Sequence, residues 1–290
     1  MFSNFTDMSA SFGKTIRLFL VEGNTNGLIT AELSNWTGKA FKIPRIKVKD
    51  YETREEFKSP GVYILFGKNE KNEDAAYIGE GEPVIKRIKE HLTKKDFWNE
   101  VIIFVSKDKY LNKASIKFLE NRLHGISNKV SRYSVDNSNI PALSGVSEAE
   151  QAELEEFLSN IKLLTSTLGH KIFEDIEETL DKRGDKELIL FCSNTEGITA
   201  SGSPSTEGFT VFKNSLFTQI NHSSLTESLR SEKNKMIDDG SLVLDGKFYK
   251  LTKTYIFTSS SRAAAMVFGR SASGPIEWKT SLGISLKNVE

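Results

Sequence analysis

GVYILFGKNEKNEDAAYIGEGEPVIKRIKEH, residues 61–91, decides the reading of this chain. Residues 59–66, Ser-Pro-Gly-Val-Tyr-Ile-Leu-Phe, form a short apolar run rich in β-branched and aromatic side chains, which predicts a strand. The polar insert that follows has turn chemistry, and Ala75-Ala76-Tyr77-Ile78-Gly79 returns as a second strand, so the pair reads as a hairpin with a longish loop. Pro83 sits at an expected first helical position, and Val84, Ile85, Ile88 and Leu92 recur at helical spacing. Arg87 and His91 are four apart on that helix and share a face. Two tyrosines on paired strands and an Arg/His pair on the next helix are therefore expected to converge on one cleft.

Outward from this stretch, Trp98 and Val101–Ser106 read as a third strand, and residues 113–127 as a helix whose stripe is Ile116, Leu119, Leu123 and Ile126. Asn112 and Ser115 are its cap candidates, and Glu120 lies beside the stripe. Upstream, Ile16–Val21 reads as a strand, Ile29–Leu33 and Lys39–Ile43 as strand or short helix, and residues 1–13 as a frayed end. From Ser147 an acidic first turn opens a long helix with the stripe Leu154, Phe157, Leu158, Ile161, Leu164 and Leu168. This helix is expected to be an arm that packs against, and separates, the two ends of the molecule, followed by a polar linker at Asp181–Asp185. A last domain begins with an apolar strand at residues 187–191. It continues through a helix from Ser223 to Asp239, a hairpin turning at Asp245-Gly246, and an Ala-rich helix capped by Ser260 and closed at Gly269. The expected division is 1–145, 146–185 and 186–290, in the α+β class.

The 290 residues, 38% of them hydrophobic, can bury one sizeable core or several small ones. The 39 basic and 39 acidic groups balance overall. The front segment is mildly basic, weakly compatible with a phosphate-rich partner, and residues 146–185 are acidic. The single cysteine, Cys192, rules out an intrachain disulfide and fits a reducing, cytoplasmic setting. No apolar run approaches about 18 residues, so no membrane span is expected. The N-terminus lacks the pattern of a secretory signal.

Gly61-Val62-Tyr63 followed by Tyr77-Ile78-Gly79 resembles the GIY-YIG endonuclease family. Arg87 lies on the helix where that family carries its arginine, Glu120 fits its metal-binding glutamate, and Asn137 its downstream asparagine, with Asn139 as the alternative alignment. The resemblance covers roughly residues 58–140. Ile140-Pro-Ala-Leu-Ser144, the acidic helix and Gly269-Arg-Ser-Ala-Ser-Gly-Pro-Ile-Glu-Trp-Lys279 look like a bacterial subgroup that appends a C-terminal domain of unknown function. The chain departs from the family in having Glu80 after Tyr-Ile-Gly, with Glu82 adding a second negative charge.

The resemblance implies a small antiparallel sheet flanked by helices and metal-dependent hydrolysis of DNA phosphodiester bonds. It implies Glu120 holding Mg2+ or Mn2+, Arg87 on phosphate oxygens, Tyr63 as general base, Tyr77 positioning water or phosphate, His91 as a proton relay, and Asn137 orienting the site or holding Glu120. A phenol acting as base needs a pKa well below its ordinary value of about 10. Without the motif, Tyr63 and Tyr77 read as core tyrosines and Arg87 as a solvated charge. Lys94 and Lys95 beside Phe97 and Trp98 are candidate nucleic-acid contacts. In the last domain Arg230, Lys233 and Lys235, on a helix followed by a hairpin wing, are candidates for phosphate contact or for a charged outer face. Trp278 reads as a core anchor, although its terminal pattern also resembles modules proposed to sense nucleic-acid modification. The rival to a nuclease is a non-cleaving nucleic-acid- or protein-binding module on the same scaffold.

Overall fold

The computed structural model describes residues 13–137, 144–175 and 188–289. The chain divides into two compact units, Met1–Glu174 and Asp175–Glu290. Both mix helices with mainly antiparallel sheets, as the α+β expectation has it. Among the described residues no helix is long and apolar enough to cross a membrane.

The first unit is built on a seven-stranded sheet with strands β1 (Ile16–Leu20), β2 (Ile29–Leu33), β3 (Gly38–Pro44), β4 (Gly61–Lys68), β5 (Asp74–Gly81), β6 (Trp98–Ser106) and β7 (Ser134–Val135). Their order is β1-β2-β3-β6-β4-β5-β7. The segments left open between strand and short helix are strands. β3 joins β6 along its whole length, from Gly38 opposite Ser106 to Pro44 opposite Glu100, so the N-terminal extension continues the sheet. The charged connection 45–58 forms two 3-10 turns, Arg45–Tyr51 and Glu55–Lys58, which bury Val48 and Phe57.

Central strands β4 and β6 are buried on both faces, which is why their sequences are continuous apolar runs rather than alternating ones. Val62, Ile64, Phe66, Ile102 and Phe104 face a core completed by α2 (Lys113–Val130) and α3 (Glu148–Thr167). Tyr63, Leu65, Val101, Ile103 and Val105 face the opposite core, completed by α1 (Val84–Lys94) and the 3-10 turns. Pro83 is the residue before α1 rather than its first residue. Asn112 caps α2, accepting from the Ala114 and Ser115 amides.

The long acidic helix differs from expectation. Ser147 and Glu150 form a capping box at its start. Leu154, Leu158, Ile161 and Leu164 then pack in the same core as Ile64 and Leu119. Burying each such side chain contributes about 1.5–3 kcal/mol, so α3 is a wall of the first unit and not a separate arm. The linker 181–185 lies outside the described residues, as do residues 1–12 and Asn139.

The second unit has a four-stranded sheet, order β14-β10-β9-β8, and a three-stranded sheet, order β11-β13-β12. The strands are β8 (Leu190–Ser193), β9 (Thr199–Ser205), β10 (Gly208–Val211), β11 (Leu216–Thr218), β12 (Leu242–Asp245), β13 (Phe248–Leu251) and β14 (Tyr255–Phe257). The helices are α4 (Glu227–Asp238), α5 (Ser260–Phe268) and α6 (Gly274–Glu277). One face of β8 packs on the core and the other does not, so Leu190 and Cys192 are buried while Phe191 between them is exposed. Ser259, not Ser260, caps α5, accepting from the Arg262 amide. Trp278 is fully buried as expected, its indole N–H donating to the Ser260 carbonyl at 3.0 Å and its ring 4.5 Å from Phe209.

Candidate active site

Register brings the two tyrosines together. Tyr63 on β4 lies opposite Gly79 on β5, and Tyr77 lies opposite Leu65, so both phenols point to the α1 face, with ring centroids 6.3 Å apart. Gly79 is required by this closeness: a Cβ there would lie 2.4 Å from the Tyr63 hydroxyl oxygen. Gly81 plays the same part for α1, because a Cβ would lie 2.9 Å from the Val84 Cα and 3.0 Å from the Arg87 Cγ.

His91, one turn after Arg87, is buried and places Nε2 2.8 Å from the Tyr63 hydroxyl, with its ring 4.8 Å from that of Tyr77. Its Nδ1 is buried without a hydrogen-bond partner. Burial, helped by Arg87 and Lys95, holds the imidazole down at about 4. The ring is therefore neutral at neutral pH, and its titration lies below the ordinary range expected for it. Tyr63 is fully buried, and burial followed by the nearby Tyr77 raises its phenol far above the ordinary value. Arg87 opposes that rise, while Glu120 and Glu80 add to it. This reverses the expected activation, because burial favours the protonated phenol. Tyr77 is raised also, by burial and then by Glu120, with Arg87 opposing.

Arg87 is exposed, with Nη1 2.5 Å from Glu90, which also takes Lys94 at 3.5 Å. Lys94 remains an exposed cation. Lys95 is committed within the site: its ammonium pairs with Asp136 at 2.6 Å and lies 4.5 Å over the Tyr77 ring. Trp98 is buried and cannot stack on a base.

The remaining residues reach the site across the outer edge of β5. β7 pairs only with Ala75 and Ala76, which leaves the later backbone groups of β5 without a ladder partner on that side. The Asn137 side chain supplies one instead. It accepts from the Ile78 amide at 3.1 Å and donates to the Ile78 carbonyl at 2.8 Å, so it orients β5 rather than holding Glu120. One rung further along, the Glu120 carboxylate accepts from the Glu80 amide. Burial, followed by the charge of Glu80, raises Glu120 to about 7, with Lys113, the Glu80 amide and Arg87 pulling it back. Glu80 itself is held by Lys113, whose ammonium is 2.7 Å from both of its carboxylate oxygens. Lys113 was missed in the sequence, although it sits seven residues before Glu120 and so on the same helix face. Among the described residues no three His, Cys, Asp or Glu side chains form a metal-ligand group.

In the second unit two of the three proposed phosphate contacts are structural, while Lys235 is exposed. Lys233 is 1% exposed and donates to the Thr218 carbonyl at 2.5 Å and the Asn221 side chain at 2.9 Å. Arg230 donates to the His222 and Leu225 carbonyls. These bonds fold residues 222–225 into a turn, which is why α4 begins at Glu227 instead of Ser223.

The first unit thus presents an antiparallel-sheet scaffold with a buried tyrosine–histidine pair facing an arginine and a partly buried carboxylate. In the second unit, residues 190–290 match the family model described as Domain of unknown function (DUF4357), in accord with the appended domain that the C-terminal sequence resembles. No curated protein and no solved structure matches the chain.

Proposed function

We propose that the first unit is a divalent-metal-dependent endonuclease of the GIY-YIG type, hydrolysing DNA phosphodiester bonds. One observation carries the reading: the Tyr63 hydroxyl, bonded to His91 Nε2 at 2.8 Å, lies in the fields of both Arg87 and Glu120. Side chains from β5, α1 and α2 act on a single phenol. A structural tyrosine needs only one hydrogen-bond partner and has no use for such a set.

Arg87, exposed and directed by Glu90, offers its remaining N–H donors to non-bridging phosphate oxygens, a task its planar fork suits. Glu120 fits a magnesium or manganese ion. Hard oxygen donors suit either cation, and a partly buried carboxylate beside a second one is under-compensated in charge. When bound, that ion supplies positive charge at the phosphate and the leaving oxygen. Tyr63 and His91 form the proton-handling pair. The neutral imidazole can accept the phenol's proton along the existing hydrogen bond as the phenol oxygen takes a proton from the attacking water. Asn137 and Gly79 act by positioning, one by fixing Ile78 and the other by admitting the Tyr63 ring.

A second reading, a non-cleaving nucleic-acid- or protein-binding module, is favoured by the full burial and raised pKa of Tyr63. Cleavage of plasmid and single-stranded DNA with Mg2+ or Mn2+ separates the two. The nuclease reading expects Arg87→Ala and Glu120→Ala each to remove activity, by at least about a hundredfold, the scale of losing a charge-stabilising group. Cleavage that survives both substitutions, or binding of DNA by the wild type without any cleavage, refutes it.

A further inference from the structure

Glu80 breaks the family pattern, and its surroundings are unusual. It lies on β5 beside Glu120 and takes part in holding it twice over. Its backbone amide donates to the Glu120 carboxylate, and its own carboxylate is the main negative charge acting on that group. Both Glu80 oxygens are occupied by the Lys113 ammonium, with the Glu80 side chain only 15% exposed. Lys113 is the first residue of α2, where the helix dipole disfavours a cation. An ammonium held at that end, seven residues before Glu120, is placed by the carboxylates and not by the helix. With Glu80 beside it, Glu120 stays under-compensated even though Lys113 and Arg87 both act on it. A divalent cation corrects that imbalance.

We propose that Glu80 is a second oxygen ligand for the divalent cation held by Glu120, and that Lys113 is an internal competitor that occupies Glu80 until the cation enters. The departure from the family pattern then adds a ligand to the site and does not obstruct a phosphate. Lys113 sets how much free cation is needed for loading. This inference rests on the nuclease reading for the identity of the cation, but it is tested by binding and not by cleavage.

The probe is Mn2+ alone, titrated into the full chain and followed by the electron paramagnetic resonance signal of the free ion. Glu80→Gln is expected to weaken binding about tenfold, the loss of roughly one ligand contact, and Lys113→Met to tighten it about fivefold. In the double variant the tightening should largely disappear, because the two residues act through one contact. Wild-type affinity in Glu80→Gln, or weaker binding in Lys113→Met, overturns the proposal. Lys113→Met leaves β5 untouched, so the test survives if Glu80→Gln folds poorly. Glu120→Gln separates the two levels of inference. If it abolishes Mn2+ binding and cleavage while Glu80→Gln changes nothing, only the second-ligand proposal fails. If it leaves both intact, the nuclease reading fails.

Discussion

Glu120→Gln should make the metal-free protein more stable, and by an amount that depends on pH. The carboxyl sits at about 7 against an ordinary 4.5, because it is partly buried and faces Glu80. A shift of about 2.5 units corresponds to at most about 3 kcal/mol at 1.36 kcal/mol per unit. Partial solvent access screens it, and about 1–2 kcal/mol is the working figure. The sign follows from linkage. A carboxyl whose folded pKa is raised binds its proton more tightly when folded, so ionising it destabilises the native state. That penalty is absent below the ordinary carboxylate pKa, grows as pH rises through the interval up to about 7, and is full above it. Glutamine keeps an acceptor for the Glu80 amide and removes the charge. Thermal unfolding in the presence of a chelator should therefore show the variant about 3–6 °C above wild type at about pH 8, and nearly level with it at about pH 4.5. Excess Mg2+ should raise the wild type and leave the variant unmoved. A variant less stable than wild type at the higher pH would refute the argument that this carboxylate is under-compensated.

Three further perturbations follow from the same contacts. Gly79→Ala places a methyl group 2.4 Å from the Tyr63 hydroxyl and must displace the ring, at a cost of about 1–3 kcal/mol in denaturant unfolding. The His91 titration midpoint, read by NMR, should move up from about 4 as the imidazole loses its phenol and gains solvent. Asn137→Ala removes both bonds to Ile78 and should cost about 1–3 kcal/mol, with faster hydrogen exchange at the Ile78 amide and slower exchange unaffected in β6. Lys233 is held down at about 8 by burial, so the unfolded chain binds its proton more tightly and stability rises with pH between about 8 and the ordinary lysine value. Lys233→Met should abolish that rise in a pH series of melting curves while leaving DNA affinity unchanged; a loss of DNA binding without a stability change would reinstate it as a surface contact.

The hairpin and α1 were legible because their signals are local. A run buried on both faces, a turn-rich insert, and a helical stripe lie within residues 61–92. Convergence of Tyr63, Tyr77, Arg87 and His91 followed from register and helical spacing alone. What could not be read was electrostatic. The direction of the Tyr63 and His91 shifts depends on burial, and a motif places a phenol without saying how dry its surroundings are. α3 showed its apolar stripe plainly, yet a stripe does not name its partner, so the wall of a core passed for an arm. Lys233 could have been foreseen. It falls in step with Leu225, Leu229 and Met236, on the face that the helix buries, and that spacing outweighed its charge. Arg230 left no such signal, because its partners are carbonyls of a turn that precedes the helix.

Glu120 and Asn137 are far apart in sequence and belong to different kinds of element, but one feature accounts for both. β5 needs partners along its outer edge, since unpaired amides and carbonyls on a sheltered edge are costly. β7 serves Ala75 and Ala76, and the Asp136 amide serves the Ala76 carbonyl at 2.8 Å. Asn137 then imitates a strand at Ile78 with a side chain, and Glu120 does so at Glu80 with a carboxylate. Had β7 run four residues further in register, its backbone would have filled those positions and shut out both side chains. The short strand is what lets a glutamate on α2 come to rest beside tyrosines on the opposite face of the sheet. A substitution that lengthened β7 along β5 should therefore raise stability while separating Glu120 from Tyr63, and any chemistry shared by the two would be lost without a single site residue having changed.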